Sequence, residues 1–404
     1  MYLTLITKSY RDLALRKKIL IVFFTVFLSL IIGHWIAGYG YLLKGVAFSY
    51  LRGQSGPGIN ESHLFYNNII HTQNPKPLPN SNKKKLAALN TSDINTLEEI
   101  ETASFLVIEN DSLIFENYWN EFSEKVPTNT FSASKSLVSL LIGIAIEEGY
   151  IESVDQSVGD FLADFSYGDK SKITIKNLLS MSSGLSWGES GGNPYSDNAK
   201  AYYGQNLSAQ IKGLRVIEEP GKTFRYKSGD TQILVYVLEA ATEVSISNYL
   251  EEKIWSKIGA ENNASWNLDR ENGDEKGFCC FYGIPRDYGK IGQLVLHKGK
   301  YNGQQIVPFD YLEKCLTVEK SIIEKDKTPN KRYGWQWWSA NYKGNIIHYA
   351  RGLLGQYIII HPTKNMVIVR TGKKRKKVLS DGHPADLWDY LRMGETIANN
   401  LALK

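Results

Sequence analysis

Residues 132–149 read SASKSLVSLLIGIAIEEG, and this stretch decides the fold. Leu137, Val138, Leu140, Leu141, Ile142, Ile144 and Ile146 put apolar side chains on nearly every face of a helix spanning about 134–148. A helix apolar all round belongs in the middle of a protein. Gly149 is placed to end it. Upstream, residues 104–109 and 113–119 are short apolar runs. Asn110-Asp111-Ser112 between them is a turn signal, so the pair predicts a β-hairpin. Downstream, residues 150–320 read mostly as helices and long loops. SWGESGGNPYSDN (186–198) is the longest irregular piece there. Strand signals return at 345–349, 356–361 and 366–370, and a last helix covers about 385–401. The expected class is α+β: an antiparallel sheet built from both termini and flanked by helices, with a mainly helical region inserted.

The same stretch opens on Ser132-Ala-Ser-Lys135. A Ser and a Lys three apart at a helix start share one face, a turn apart. The hydroxyl then lies near the positive end of the helix dipole and beside an amine. A buried lysine can lose its proton and act as a base. The pattern alone is weak, because Ser81 and Lys84 repeat it in a polar stretch. Only Ser132 heads a buried helix.

Two further pieces follow. In PGKTFRYKSGD (220–230), a Pro-Gly turn leads into a short strand presenting Tyr226, and a helical run begins near Thr231. A tyrosine is a poor base at its usual pKa of about 10 unless a cation stabilises the phenolate, and Lys135 is a candidate for that cation. In Ala350-Arg-Gly-Leu-Leu-Gly-Gln356, glycines at a strand start let backbone approach a ligand closely. A backbone N–H there, with that of Ser132, would form an oxyanion hole.

In this order the pieces resemble the β-lactamase-related serine hydrolases: class C β-lactamases, DD-peptidases, esterases and 6-aminohexanoate-dimer hydrolases. Three more segments resemble family motifs. They are NLLSMSSGLSW (177–187), Pro285-Arg286-Asp287 followed by Gly292-Gln-Leu, and Tyr333-Gly-Trp-Gln-Trp-Trp338. The likeness covers about 96–404. It implies Ser132 as an acylated nucleophile, Lys135 and Tyr226 as the proton-handling pair, and Leu353 as the second oxyanion N–H. It implies neither cofactor nor metal. Ser228 stands where the family's Y-x-N motif has Asn. Ala350-Arg351-Gly352 stands where a K-T-G or H-x-G triplet is usual, so the cation that helps hold a substrate carboxylate is displaced, with Arg351 one residue away. Both departures point away from β-lactams toward the aminohexanoate-dimer branch, whose segment tends to read G-x-x-G-Q as Gly352–Gln356 does. The implied reaction is hydrolysis of a small amide or ester, with cell-wall-derived molecules among the candidate substrates. A penicillin-recognising peptidase and a non-catalytic envelope binding protein of the same fold are the alternatives. Glu189, Tyr195 and Asp197 either border the pocket or are solvated loop residues.

The 404 residues carry 43% hydrophobic and 12% aromatic side chains, which suits a packed domain. A net charge of +5, gathered in local clusters, does not suggest nucleic-acid binding. Cys279, Cys280 and Cys315 give no disulfide framework or metal spacing and read as small buried apolar residues. Residues 19–43 carry no charge and are long enough to cross a bilayer. Lys8, Arg11, Arg16, Lys17 and Lys18 precede them, while only Lys44 and Arg52 follow closely. The positive-inside rule puts 1–18 in the cytosol and the rest outside, as a single-pass protein of a bacterial inner membrane with its domain on the periplasmic or extracellular side. A cleaved signal peptide is the rival reading. Residues 44–95, with Pro75, Pro77 and Pro79, read as an extended linker. The basic run Lys373–Lys377 reads as an exposed loop, with anionic lipid or cell-wall polymer as its other reading.

Overall fold

The computed structural model describes residues 2–403; Met1, the first residue of the expected cytosolic tail, and Lys404 lie outside it. The large sheet has six antiparallel strands in the order Ser112–Tyr118, Thr102–Glu109, Met366–Gly372, Gln356–His361, Asn345–Gly352 and Trp338–Tyr342. The expected hairpin therefore pairs with the C-terminal strands, through Val369↔Leu106 and Ile368↔Val107. Alternate side chains divide between two cores, as a pleated strand requires. Phe105, Val107, Ile359 and Ile368 meet Leu387, Leu391 and Ile397 of the last helix, Asp386–Ala402. Leu106, Ile108, Ile358, Val367 and Val369 face the opposite side, with the central helix and Pro285–Leu296. Gly292 lies against Val367, where a Cβ would overlap that side chain.

The central helix, Ser134–Glu147, is buried from Ser134 to Ala145 and packs on the helix Ser228–Thr242. Gly149 follows it at φ 78°, the left-handed conformation glycine adopts without cost.

A second, four-stranded sheet runs Asn67–Ile70, Ala264–Asn267, Phe281–Gly283, Thr128–Asn129. Short strands thus punctuate the mainly helical inserted region. Residues 44–95 do not hang as a linker, which corrects that expectation: Asn67–Ile70 pairs with Ala264–Asn267, and Ile59, Ile70 and Leu78 are fully buried. The prolines did not make this stretch a spacer, because its widely spaced apolar residues find partners far along the chain. Within it, Lys84 pairs with Glu116 at 3.4 Å, far from any role with Ser81.

The N-terminal helix Tyr2–His34 continues through a π-turn, Trp35–Tyr39, into Tyr41–Phe48. Leu13–Tyr39 is long and apolar enough to cross a membrane, and none of it is buried in the protein.

Candidate active site

Ser132 sits in a 3-10 turn, Phe131–Ala133, just ahead of the central helix. Phe131 has φ 45°, rare for a residue with a side chain, and its N–H donates to Asn129 Oδ1 at 2.8 Å. This reversal turns Ser132 outward into a cleft while Lys135 stays buried beneath it. The cleft encloses 260 Å³. Ser132, Tyr226, Ser228, Glu189, Arg351, Gly352 and Leu353 all line it.

Lys135 Nζ is the hub. It lies 3.0 Å from Ser132 Oγ, 3.1 Å from Ser228 Oγ and 2.7 Å from the Phe278 carbonyl oxygen. Burial lowers its pKa to about 8, against a pull upward from Glu189. Glu189 accepts from the Ser228 hydroxyl at 2.9 Å, the Ser228 N–H at 2.8 Å and the Trp187 indole at 2.8 Å. The Ser228 proton is thus directed at Glu189, and its oxygen is left to accept from Lys135. The Phe278 carbonyl can only accept. A neutral Lys135 spends both N–H bonds on these two partners, and its lone pair then faces Ser132. Ser228, standing where the resemblance led one to expect Asn, meets Lys135 through its hydroxyl, with Glu189 behind it to orient the side chain.

Tyr226 does not lie on a strand. Its segment is extended loop, fixed by the Arg225 N–H to the Met181 carbonyl at 2.8 Å. Its ring packs between Tyr333 and Trp338, with centroids 5.9 and 5.6 Å away. Burial and Glu189 push the phenol well above the usual tyrosine value, while a hydrogen bond with Ser132 works the other way. Lys135 Nζ is 5.2 Å from the ring centroid.

The turn after strand Asn345–Gly352 forms the opposite wall. At Gly352 a Cβ would overlap the Thr130 carbonyl, so the strand edge can press against the serine turn only as glycine. Gln356 donates to the carbonyls of Leu353 (3.0 Å) and Gly372 (2.7 Å) and accepts from the Gly372 N–H at 3.1 Å. Arg370 is fully buried and donates to the carbonyls of Leu354, Gly355, Lys374 and Ile100. Gln356 holds Leu353 directly, and Arg370 holds the next two residues of its turn. Sequence reading missed Gln356 and Arg370 as supports of this turn, although Gln356 stood in the motif.

Other residues sort as follows. Arg351 lies 3.7 Å over the Trp338 ring and donates to the Gly382 carbonyl at 3.1 Å. Tyr195 and Asp197 are not cleft walls. Asp197 accepts from the Gly188 N–H at 2.8 Å, and Tyr195 is exposed. Lys373, Lys374 and Lys376 pair with Glu121, Glu101 and Asp389, whereas Arg375 lines the cleft. Its position in a basic run concealed it. Gly355 is not a wall; at φ 87° it closes the turn beside Arg370.

Cys279 and Cys280 form a disulfide between neighbours, which corrects their reading as free apolar residues. Cys279 lines the cleft, one residue from the carbonyl that holds Lys135. Cys315 stays a buried thiol. Among the described residues no group of three or more His, Cys, Asp or Glu could hold a metal.

Residues 91–387 match the family model described as Beta-lactamase. The chain belongs to the beta-lactamase family. Within it, the chain is 25% identical over 299 residues to the 6-aminohexanoate-dimer hydrolase of Paenarthrobacter ureafaciens, covering 68% of this chain and 73% of that protein. Its fold is similar to that of a Bacillus anthracis protein provisionally assigned as a 6-aminohexanoate-dimer hydrolase, with TM-score 0.72 and 23% identity over 85% of this chain and 94% of that one. It is also similar to a family VIII carboxylesterase, with TM-score 0.60 and 15% identity over 82% of this chain and 100% of the esterase. The family and these neighbours are hydrolases of the beta-lactamase fold.

Proposed function

We propose that this beta-lactamase-family protein hydrolyses a small amide or ester through an acyl-enzyme on Ser132. The observation that carries this is the placing of Lys135 Nζ 3.0 Å from Ser132 Oγ, with its two other partners both oxygens, so that the neutral amine can donate to those two and take the Ser132 proton. Lys135, with its pKa lowered to about 8, is the base for acylation, and Tyr226, kept protonated by burial, is the donor to the leaving group. Ser132 Oγ adds to the carbonyl carbon as its proton passes to Lys135 Nζ. The negative oxygen of the tetrahedral intermediate is stabilised by the N–H groups of Ser132 and Leu353. As the bond to the leaving group breaks, that group takes a proton from Tyr226, which Lys135 restores. Water then adds to the acyl-enzyme, giving up a proton to the same pair, and the pair returns that proton to Ser132 Oγ as its bond to the acyl carbon breaks and the acid leaves.

Arg351 and Arg375 line the cleft and favour a substrate with an anionic group, which suits a product-like carboxylate or a cell-wall fragment. The preference for simple amides or esters over β-lactams rests on Ser228 and the Ala350-Arg351-Gly352 triplet. The apolar span Leu13–Tyr39 and the disulfide Cys279–Cys280 support a single-pass protein with its domain outside the bacterial cytosol. The test is a panel of p-nitrophenyl esters, small amides, nitrocefin and D-Ala-D-Ala peptides, run with the wild type and Ser132→Ala. Turnover lost in Ser132→Ala, with a fluorophosphonate adduct on Ser132 in the wild type, is expected. An intact protein that takes no electrophile on Ser132 would return the chain to the envelope binding proteins.

A further inference from the structure

The helix that follows the membrane-spanning segment packs behind one wall of the cleft. Tyr39, the last residue of the apolar span, meets the Tyr195 ring edge-on with centroids 5.5 Å apart. Tyr41 donates its hydroxyl proton to the Pro194 carbonyl at 3.0 Å. The helix Tyr41–Phe48 then packs along Asp197–Tyr203, with Gly45 facing the Tyr203 ring. Tyr203 lines the Ser132 cleft from its other side, and Ser190 and Gly191, on the loop that carries Pro194, form its lip. Only one short helix and one loop separate the end of the bilayer span from the nucleophile.

The surface around this junction is apolar. Trp35, Ile36, Tyr50 and Leu51 are 67%, 74%, 68% and 79% exposed. Tryptophan and tyrosine at the end of a span mark headgroup depth. Tyr50 and Leu51 follow the helix Tyr41–Phe48, so apolar side chains stay exposed past the span as well. The cleft's 260 Å³ is below the roughly 300–1,000 Å³ of a pocket that buries a whole ligand. A scissile group with a short part of its substrate fits this volume, and a longer substrate would extend past the lip toward the anchor.

We infer that the substrate is an amphiphile held in the bilayer, whose amide or ester reaches Ser132 at headgroup depth. This rests on the reading of Ser132 as the nucleophile and of Leu13–Tyr39 as a membrane span. The acyl tail stays in the lipid or runs over the lip, while the scissile carbonyl enters the cleft. A segment that only tethered the domain would need no packing beside the cleft.

The experiment uses the full chain in phosphatidylethanolamine–phosphatidylglycerol vesicles. p-Nitrophenyl decanoate dissolved in the bilayer is compared with water-soluble p-nitrophenyl butyrate. The decanoate rate is expected to follow its mole fraction in the bilayer, not its bulk concentration, and its kcat/KM to exceed that of the butyrate by about tenfold or more. Butyrate turnover with no gain for the bilayer ester overturns the inference and leaves the hydrolase reading intact. No Ser132 adduct with fluorophosphonate sinks the hydrolase reading instead. The geometry is checked without activity by a bimane on Gly192→Cys, an exposed position of the same loop where a Cβ meets nothing, since Cys315 is buried and the other two cysteines are bonded. Quenching by a headgroup nitroxide lipid is expected, and its absence places the cleft away from the membrane and overturns the inference.

Discussion

At the scale of the residue, the chemistry turns on one proton. Lys135 must be neutral to accept it, and burial brings its pKa down to about 8. The kcat/KM should therefore rise with pH through about 8, as the neutral amine becomes populated. Glu189 acts in the opposite direction, since its charge favours the ammonium. Glu189→Gln should move the acidic limb to lower pH, which a pH–rate profile reads directly. A limb that stays in place would show that Glu189 does no more than pack. The stability sign also follows. The folded pKa lies below the unfolded value, so the buried ammonium costs stability below the unfolded pKa of about 10.4, most fully once the pH is under about 8. Lys135→Met should cut kcat/KM by roughly 10³-fold or more and leave thermal stability equal or higher at pH 7. Activity assays and melting curves of the same preparation separate the two effects.

At the scale of the element, the turn 352–356 and the segment 277–280 hold the site in place. Arg370 satisfies four carbonyls from inside the protein. Arg370→Met leaves them without those donors and should cost about 3–5 kcal/mol in denaturant unfolding. Gly352→Ala forces the strand edge off Thr130 and should lower kcat more than it raises KM, because the Leu353 N–H moves with that edge. The segment 277–280 offers carbonyls to Ser134, Lys135 and Trp266. Its disulfide predicts an intact mass two hydrogens below the reduced value, and three alkylated cysteines only after reduction and denaturation. Two adjacent cysteines give a sequence reader no loop to close, so this bond was illegible in advance. Tyr226 illustrates a different limit. Its neighbours suggested a strand, but the segment is fixed by Met181 from a distant motif.

At the scale of the whole molecule, the second sheet joins the two halves of the chain. Residues 59–78 bury Ile59, Ile70 and Leu78, and their strand pairs with one far along the chain, as Asn67↔Asn267 shows. A chain cut to begin at residue 96 loses these three side chains, worth about 1.5–3 kcal/mol each, from a fold whose net stability is about 5–15 kcal/mol. It should be insoluble or molten, whereas a chain beginning at 44 should melt cooperatively; circular dichroism of the two compares them.

The sequence by itself determined the central helix, the strands at both ends, and Ser132, Lys135 and Tyr226 as the residues to follow. Each is a local matter: unbroken apolar runs, turn residues, and motifs whose parts lie within a few positions. Only the tertiary structure decided that Glu189 aims Ser228 and so Lys135, that Gln356 and Arg370 hold the turn of Leu353, that Arg375 faces the cleft, and that 44–95 folds with the domain. Those outcomes depend on contacts between residues far apart in the chain, where a charged or polar side chain carries no local sign of which carbonyl or carboxylate it will meet.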